Sequence, residues 1–185
     1  MATTHSKTIH TGTYAPMVKP KTKIRDMDIR IGHGYDVHAL GEGLRLVLCG
    51  VEVEHYKGCI AHSDGDVAIH AICDALLGSL ALGDIGKLFP DSDAKYKGID
   101  STLLLKEVVE IVRGNGYEIS NIDCTIAMQR PRLRPHIDTM RARLAEVIGI
   151  GVDRISVKAT TTERLGFEGR EEGVSTTAVV IVTKE

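Results

Sequence analysis

Residues 28–38 read DIRIGHGYDVH, and the fold turns on whether this stretch is a strand. Ile29, Ile31 and His33 alternate with polar or small residues and fall on one side, the two-residue period of an extended chain. We read a strand that loosens toward its glycine-rich end. In such a strand Asp36 and His38 project from the same face, roughly 6.6 Å apart along the chain. A carboxylate and an imidazole so placed can reach one small ion, provided that a third ligand arrives from elsewhere.

Working outward, LRLVLCGVEVEHY (44–56) reads as two short strands around Cys49-Gly50, a hairpin. In HSDGDVAIHAICDALLGSLALGDIG (62–86), Ser63, Asp64 and Asp66 supply helix-start chemistry. Ile69, Cys73, Leu76 and Leu80 then recur at helical spacing, and Gly83 and Gly86 are expected to end that helix. A polar loop follows over 87–100. A second helix runs from about Ser101 to Arg113, with Leu104, Leu105, Val108 and Val112 inward and Gly114 and Gly116 as stops. NIDCTIAMQ (121–129) alternates as a half-buried strand. Pro135 opens a third helix carrying Ile137, Met140, Leu144 and Ile148, closed by Gly149 and Gly151. RISVKATT (154–161) and STTAVVIVTK (175–184) supply the last strands. There is no strict βαβ repeat, no GxGxxG and no P-loop. The expected class is α+β, a single small domain with a mixed sheet covered by helices on one face.

The 185 residues suit one domain. A hydrophobic content of 43% is ordinary for a globular protein, and with no Trp and only 2 Phe the core must be aliphatic. A formal net charge of −2 gives no reason to expect nucleic acid or an anionic membrane as partner. No apolar run approaches the roughly 20 residues that cross a bilayer. Cys49, Cys59, Cys73 and Cys124 lack CxxC spacing and read as buried free thiols in a reducing compartment. Residues 1–27 stand apart from the domain of 28–185. Up to Arg25 this segment has no Asp or Glu and many Ser and Thr. It reads as a remnant of organelle targeting, an expression artefact or a disordered extension, and has no signal-peptide core.

His70 lies in the first helix, away from its apolar stripe, with Asp66 and Asp74 one turn to either side. Asp36, His38 and His70 together make two imidazoles and a carboxylate, the set a zinc site uses when its fourth position stays open for substrate. His62 and Ser63 lie about one turn upstream and can act nearby. KATTTERLGFEGR (158–170) admits two readings. Thr-x-x-Glu can start a capped helix, or the hydroxyls can face phosphate oxygens with Glu163 holding a hard cation. Arg130, Arg132 and Arg134 form either a solvated basic loop or guanidinium partners for a phosphorylated substrate. Asp84, Asp91 and Asp93 either grip a ribose or face water. The residues alone reach a metal-dependent enzyme acting on a phosphorylated small molecule.

RIGHGYDVH, AHSDGDVAIHA, LGDIGKLFPDSD, DCTIAMQRPRLRPHI and VKATTTERLGFEGREEG, in this order, resemble the 2-C-methyl-D-erythritol 2,4-cyclodiphosphate synthases of the non-mevalonate isoprenoid pathway. The likeness runs from about Ile29 to the C-terminus. It implies a homotrimer with active sites between subunits. It also implies a substrate, 4-diphosphocytidyl-2-C-methyl-D-erythritol 2-phosphate, whose 2-phosphate attacks the β-phosphorus as CMP leaves. Asp36, His38 and His70 match zinc ligands, and Glu163 the ligand of a second divalent ion, Mg²⁺ or Mn²⁺. His62 and Thr161 match the transition-state-stabilising positions. Ser63 matches a contact to the erythritol phosphate, and Asp84, Ile85 and Gly86 a substrate-binding turn. Phe89, Pro90, Asp91, Ser92 and Asp93 match a loop over the erythritol. Met128, Gln129, Arg130, Pro131, Arg132, Leu133 and Arg134 match the segment receiving cytosine. Thr160 and Thr162 join Thr161 in the phosphate pocket, and Phe167 and Arg170 match later binding positions. RPRLR is more basic than the family pattern, so Arg130 and Arg134 carry over least directly. The resemblance places the protein in a bacterial cytoplasm, or in a plastid or plastid-like organelle if the leader is a targeting segment. Competing readings are a zinc-dependent phosphoesterase, in which water fills the open metal position, and a binding module holding zinc structurally.

Overall fold

The structure is a computed structural model that describes residues 27–90 and 93–184. The leader, except for Met27, and Asp91 and Ser92 of the expected substrate loop therefore lie outside the described residues. The elements follow in the order β1 (Asp28–Glu42), β2 (Leu46–Leu48), β3 (Val51–Val53), β4 (Lys57–Cys59), α1 (Val67–Ser79), α2 (Ile85–Leu88), α3 (Ser101–Gly114), β5 (Glu118–Ala127), α4 (Ile137–Ile148), β6 (Ile155–Thr160), α5 (Gly166–Gly169) and β7 (Gly173–Lys184). Five strands form one sheet in the order β4-β1-β7-β5-β6. All its pairings are antiparallel except β5 with β6. β2 and β3 pair separately as a hairpin through Cys49 and Gly50, whose φ angles of 55° and 71° suit a two-residue turn. The fold is α+β, as the element pattern implies.

β1 decides the architecture, and it differs from expectation in one respect. It does not loosen at its glycines but runs unbroken for 15 residues. It pairs with β7 from Asp28↔Lys184 to Ala39↔Gly173. The alternation is real, but the side turned to the helices is that of Gly32 and Gly34. A Cβ on Gly32 would lie 1.7 Å from the Ala75 carbonyl oxygen, and one on Gly34 1.9 Å from that of Ala71. Only a residue without a side chain lets α1 lie this close on the strand. The opposite face carries Ile29, Ile31, Tyr35 and Val37, which are 52%, 68%, 51% and 43% exposed.

α1 is the central helix, and the residues from Val67 to Cys73 along it are all buried. It lies between β1 and β7 below and α3 above. A helix apolar on every side belongs inside a core. Each fully buried Leu or Ile, among them Ile69, Ile72, Leu76 and Leu77, contributes about 1.5–3 kcal/mol relative to exposure. The helix ends at Ser79 with Leu80 as its cap, earlier than Gly83 and Gly86 suggest. Gly83 lies in the link, and Gly86 falls inside α2, a turn that the Asp84 carboxylate starts by accepting from the Lys87 N–H. The expected polar loop over 87–100 thus holds the end of α2 and a single 3-10 turn over Ala94–Tyr96. α3 and α4 match their apolar spacing, with Gly114 as the last residue of α3 rather than beyond it. Pro135 sits in a 3-10 turn, Arg134–His136, that leads into α4. All four cysteines are free and buried. Among the described residues no helix is long and apolar enough to cross a membrane.

Candidate metal centre and substrate cavities

The packing of α1 on β1 carries the site. Ala75 lies over Gly32 and Ala71 over Gly34, and His70, one residue before Ala71, reaches Asp36 and His38 farther along the strand. His70 Nδ1 lies 3.1 Å from Asp36 Oδ2, His38 Nε2 3.2 Å from the same oxygen, and the two ring nitrogens 3.2 Å from each other. Three ligand atoms therefore form a nearly equilateral triangle. A tetrahedral ion with bonds of about 2.0–2.1 Å separates its ligands by about 3.3 Å, so the triangle fits such an ion with little adjustment. The donor chemistry fits as well, with two imidazole nitrogens and one carboxylate oxygen converging on one point. This cluster can hold a metal ion.

Electrostatics favour the arrangement while the His70 ring is charged and donates to Asp36. Burial raises the Asp36 carboxyl, but hydrogen bonds from His38 and His70 outweigh it and hold the group well below the usual carboxylate range. For His70, burial opposes the charged ring, but the Asp36 carboxylate together with those of Asp66 and Asp64 outweighs it, leaving the pKa raised. The far side of the His70 ring is also occupied. Its Nε2 lies 3.0 Å from Ser101 Oγ and 3.2 Å from Ser63 Oγ. Ser101 and its partner Asp64 escape sequence reasoning as site residues, since each looks like ordinary helix-start chemistry and they are 37 positions apart. Asp66 and Asp74 do not share one role with His70. Asp66 is fully buried and accepts from the N–H groups of Cys49, Gly50 and Ile69, clamping the hairpin to the start of α1. Burial pushes its pKa up to about 6. Asp74 accepts from the Ile85 N–H at 2.8 Å and fixes α2 beside the site.

The triangle opens into a cavity of about 220 Å³, whose wall includes His62, Ser63, Ile85, Gly86, Phe89 and Tyr96. Phe89 is buried and meets Tyr96 edge-on at 5.4 Å, which closes one side. Pro90 is exposed, and Asp93 spends its carboxylate on the Lys95 N–H and ammonium.

A second cavity of about 430 Å³ lies elsewhere on the chain. Met128, Gln129, Pro131, Arg132, Leu133 and Arg134 line it together with Val157–Thr161. Met128 and Leu133 are buried and form its floor, whereas Arg130, Arg132 and Arg134 reach solvent. Arg130 pairs with Glu171 at 3.4 Å. No capped helix begins at Thr160. The chain turns instead, with positive φ at Glu163 and Arg164, and α5 starts only at Gly166. Thr161 donates its hydroxyl to Glu163 at 2.8 Å, Thr160 to the Thr161 carbonyl and Thr162 to that of Leu165. The two cavities share no lining residue. Within one chain, then, the Asp36–His38–His70 triangle and the Thr160–Glu163 turn are not brought together. Phe167 and Arg170 line neither cavity. The Phe167 ring lies against Gly173, and Arg170 makes a two-pronged ion pair with Glu172.

A family model described as the YgbB family matches residues 29–183. A protein of Mannheimia succiniciproducens named 2-C-methyl-D-erythritol 2,4-cyclodiphosphate synthase is 60% identical over 156 residues, 84% of this chain and 98% of its own. Among solved structures, one of a 2C-methyl-D-erythritol-2,4-cyclodiphosphate synthase in a CDP-bound form superposes with a TM-score of 0.77 at 38% identity, over 83% of this chain and 99% of that one. The bifunctional IspDF of Campylobacter jejuni superposes with a TM-score of 0.83 at 43% identity, over 86% of this chain and 43% of that longer one. The chain belongs to the YgbB family, the family of the 2-C-methyl-D-erythritol 2,4-cyclodiphosphate synthases.

Proposed function

We propose that the protein converts 4-diphosphocytidyl-2-C-methyl-D-erythritol 2-phosphate into 2-C-methyl-D-erythritol 2,4-cyclodiphosphate and CMP, as a phosphorus–oxygen lyase of the non-mevalonate pathway. The observation that carries this reading is the three-ligand triangle opening into a cavity with His62 and Ser63 on its wall. Asp36, His38 and His70 would hold Zn²⁺, and Glu163 would hold Mg²⁺ or Mn²⁺. When bound, such ions neutralise phosphate charge and polarise the bond that breaks.

The chain's own residues supply positioning. His62 and Ser63 line the cavity beside the triangle, where their polar hydrogens would meet phosphate oxygens. Gly86 leaves the start of α2 open on the cavity wall, while Phe89 closes over the sugar-like part and limits water. Asp84 and Asp93 hold the turn and loop in shape. Cytosine would lie over Met128 and Leu133, read by backbone groups of 128–134, with the guanidinium groups adding affinity rather than base preference. Thr160, Thr161 and Thr162 would offer hydroxyls to the diphosphate, Thr161 giving up its bond to Glu163 as it does so. The nucleophile is already anionic, so no general base is needed, and alignment can supply effective molarities of about 10⁵ M or more.

The two cavities lie apart on one chain, and β1 leaves an apolar face bare. Both features support a homotrimer in which one subunit's metal cavity meets its neighbour's cytidine cavity. Phe167 and Arg170 would then contribute at the assembly rather than at the metal. The reaction belongs in a bacterial cytoplasm, or in a plastid if residues 1–27 direct the chain there.

The test is CMP release from the cytidylyl substrate with and without a chelator, with ³¹P NMR of the product. A cyclic diphosphate formed only in the presence of metal is expected. Free phosphate or an open-chain product would replace this reading with a phosphoesterase.

A further inference from the structure

We infer that Ser101, its hydroxyl hydrogen held by Asp64, is a positioning residue that keeps the hydrogen of the His70 ring on Nε2 and leaves Nδ1 bare toward Asp36 and His38. The inference rests on the metal reading of those three ligands, and it follows from counting donors. A carboxylate only accepts. Asp64 accepts the Ser101 N–H on Oδ2 at 3.0 Å and the Ser101 hydroxyl on Oδ1. A serine hydroxyl has one hydrogen, and Ser101 is fully buried, so no water offers it an alternative. Its oxygen can then only accept from His70 Nε2, 3.0 Å away. A neutral imidazole with hydrogen on Nε2 carries its lone pair on Nδ1. That lone pair faces Asp36 Oδ2 at 3.1 Å, acceptor against acceptor, which a cation between them relieves.

Ser63 does not duplicate this role. Its Oγ already accepts from the Gly65 N–H at 3.1 Å and lies slightly farther from the ring. Its own hydrogen is uncommitted and free to turn to a ligand in the cavity. The backbone holds Ser101 in register. Asp64 donates its N–H to the Ile99 carbonyl at 3.0 Å and Gly98 to that of His62 at 2.7 Å, so the loops before α1 and α3 move together. Partners that orient a metal-binding histidine are worth about 10–100-fold in affinity.

The test reads the ring directly. Long-range ¹H–¹⁵N correlation on metal-stripped wild-type protein at alkaline pH, where the ring is neutral, should show His70 as the Nε2–H tautomer. Ser101→Ala should give a mixture with Nδ1–H and weaken Zn²⁺ about 10–100-fold in chelator competition, and Ser101→Thr should restore both. A His70 ring carrying its hydrogen on Nδ1 in the wild type overturns the inference even if no variant folds. So does a folded Ser101→Ala with unchanged tautomer and affinity. If wild type shows the Nε2–H form yet binds no metal, the orienting role stands and the metal reading falls.

Discussion

The cavity at the Asp36–His38–His70 triangle and the cavity lined by residues of 128–134 and 157–161 are built by different means. Asp36 and His38 sit on the second strand of a five-stranded sheet, and His70 on the helix buried against it. Their candidate ligand atoms are within 3.2 Å of one another. Across the molecule, Thr160–Glu163 is an exposed turn whose hydroxyls bond their own backbone or the adjacent carboxylate. The first cavity is held in shape by packing, and the second by turns at the surface. Coordination chemistry tolerates little play and belongs on rigid elements. Recognition of a long flexible diphosphate can be assembled from turns.

Removing a ligand should separate the two most sharply. His70→Ala is expected to lose the tightly held metal and bring turnover to background while the sheet stays folded. Metal content by mass spectrometry and circular dichroism check it, and full metal occupancy in the variant would break the comparison. Ile31→Arg puts charge on the bare face of β1, opposite the ligands. It should leave metal content unchanged, convert the proposed trimer to monomers by light scattering and cut turnover by about 100-fold or more. Full activity as a monomer would mean that one chain completes the site. Glu163→Gln touches only the turn. It should retain the first metal and lower turnover roughly tenfold, about 1.4 kcal/mol, with a higher Mg²⁺ or Mn²⁺ requirement in titrations.

The smallest effect is one of sign. In the metal-free protein the raised His70 pKa contributes stability that is fully present below the ordinary imidazole range and is lost as pH rises through the raised value. The depressed Asp36 pKa contributes stability present above the usual carboxylate range and lost as pH falls through its own lower value. With metal bound, His70 must be neutral, so rising pH strengthens binding and stability instead. Denaturant melts at pH 6 and pH 8, with and without zinc, should therefore move in opposite directions.

What the sequence makes legible is local. The Cys49-Gly50 hairpin, the apolar spacing of α3 and α4 and the dyad of Asp36 and His38 are each contained in a few residues. Errors arise where a residue's meaning depends on a distant partner. Gly32 and Gly34 look like loosening until α1 is laid over them, and then they are what holds the strand and helix together. Thr160–Glu163 has the spacing of a helix cap, but the chain turns through positive φ at Glu163 and Arg164, and the Arg164 N–H there meets the Gln129 side chain, 35 positions away. Ser101 starts a helix in sequence and also touches His70 in space. Nothing in the stretches around either residue announces that meeting.

The bare backbone at Gly32 and Gly34 also acts as a gauge between the strand and helix sides of the Asp36–His38–His70 triangle. A Cβ there would push the helix-borne nitrogen away from the strand-borne pair. Core density and the spacing of the Asp36–His38–His70 triangle are therefore set by the same two hydrogen atoms.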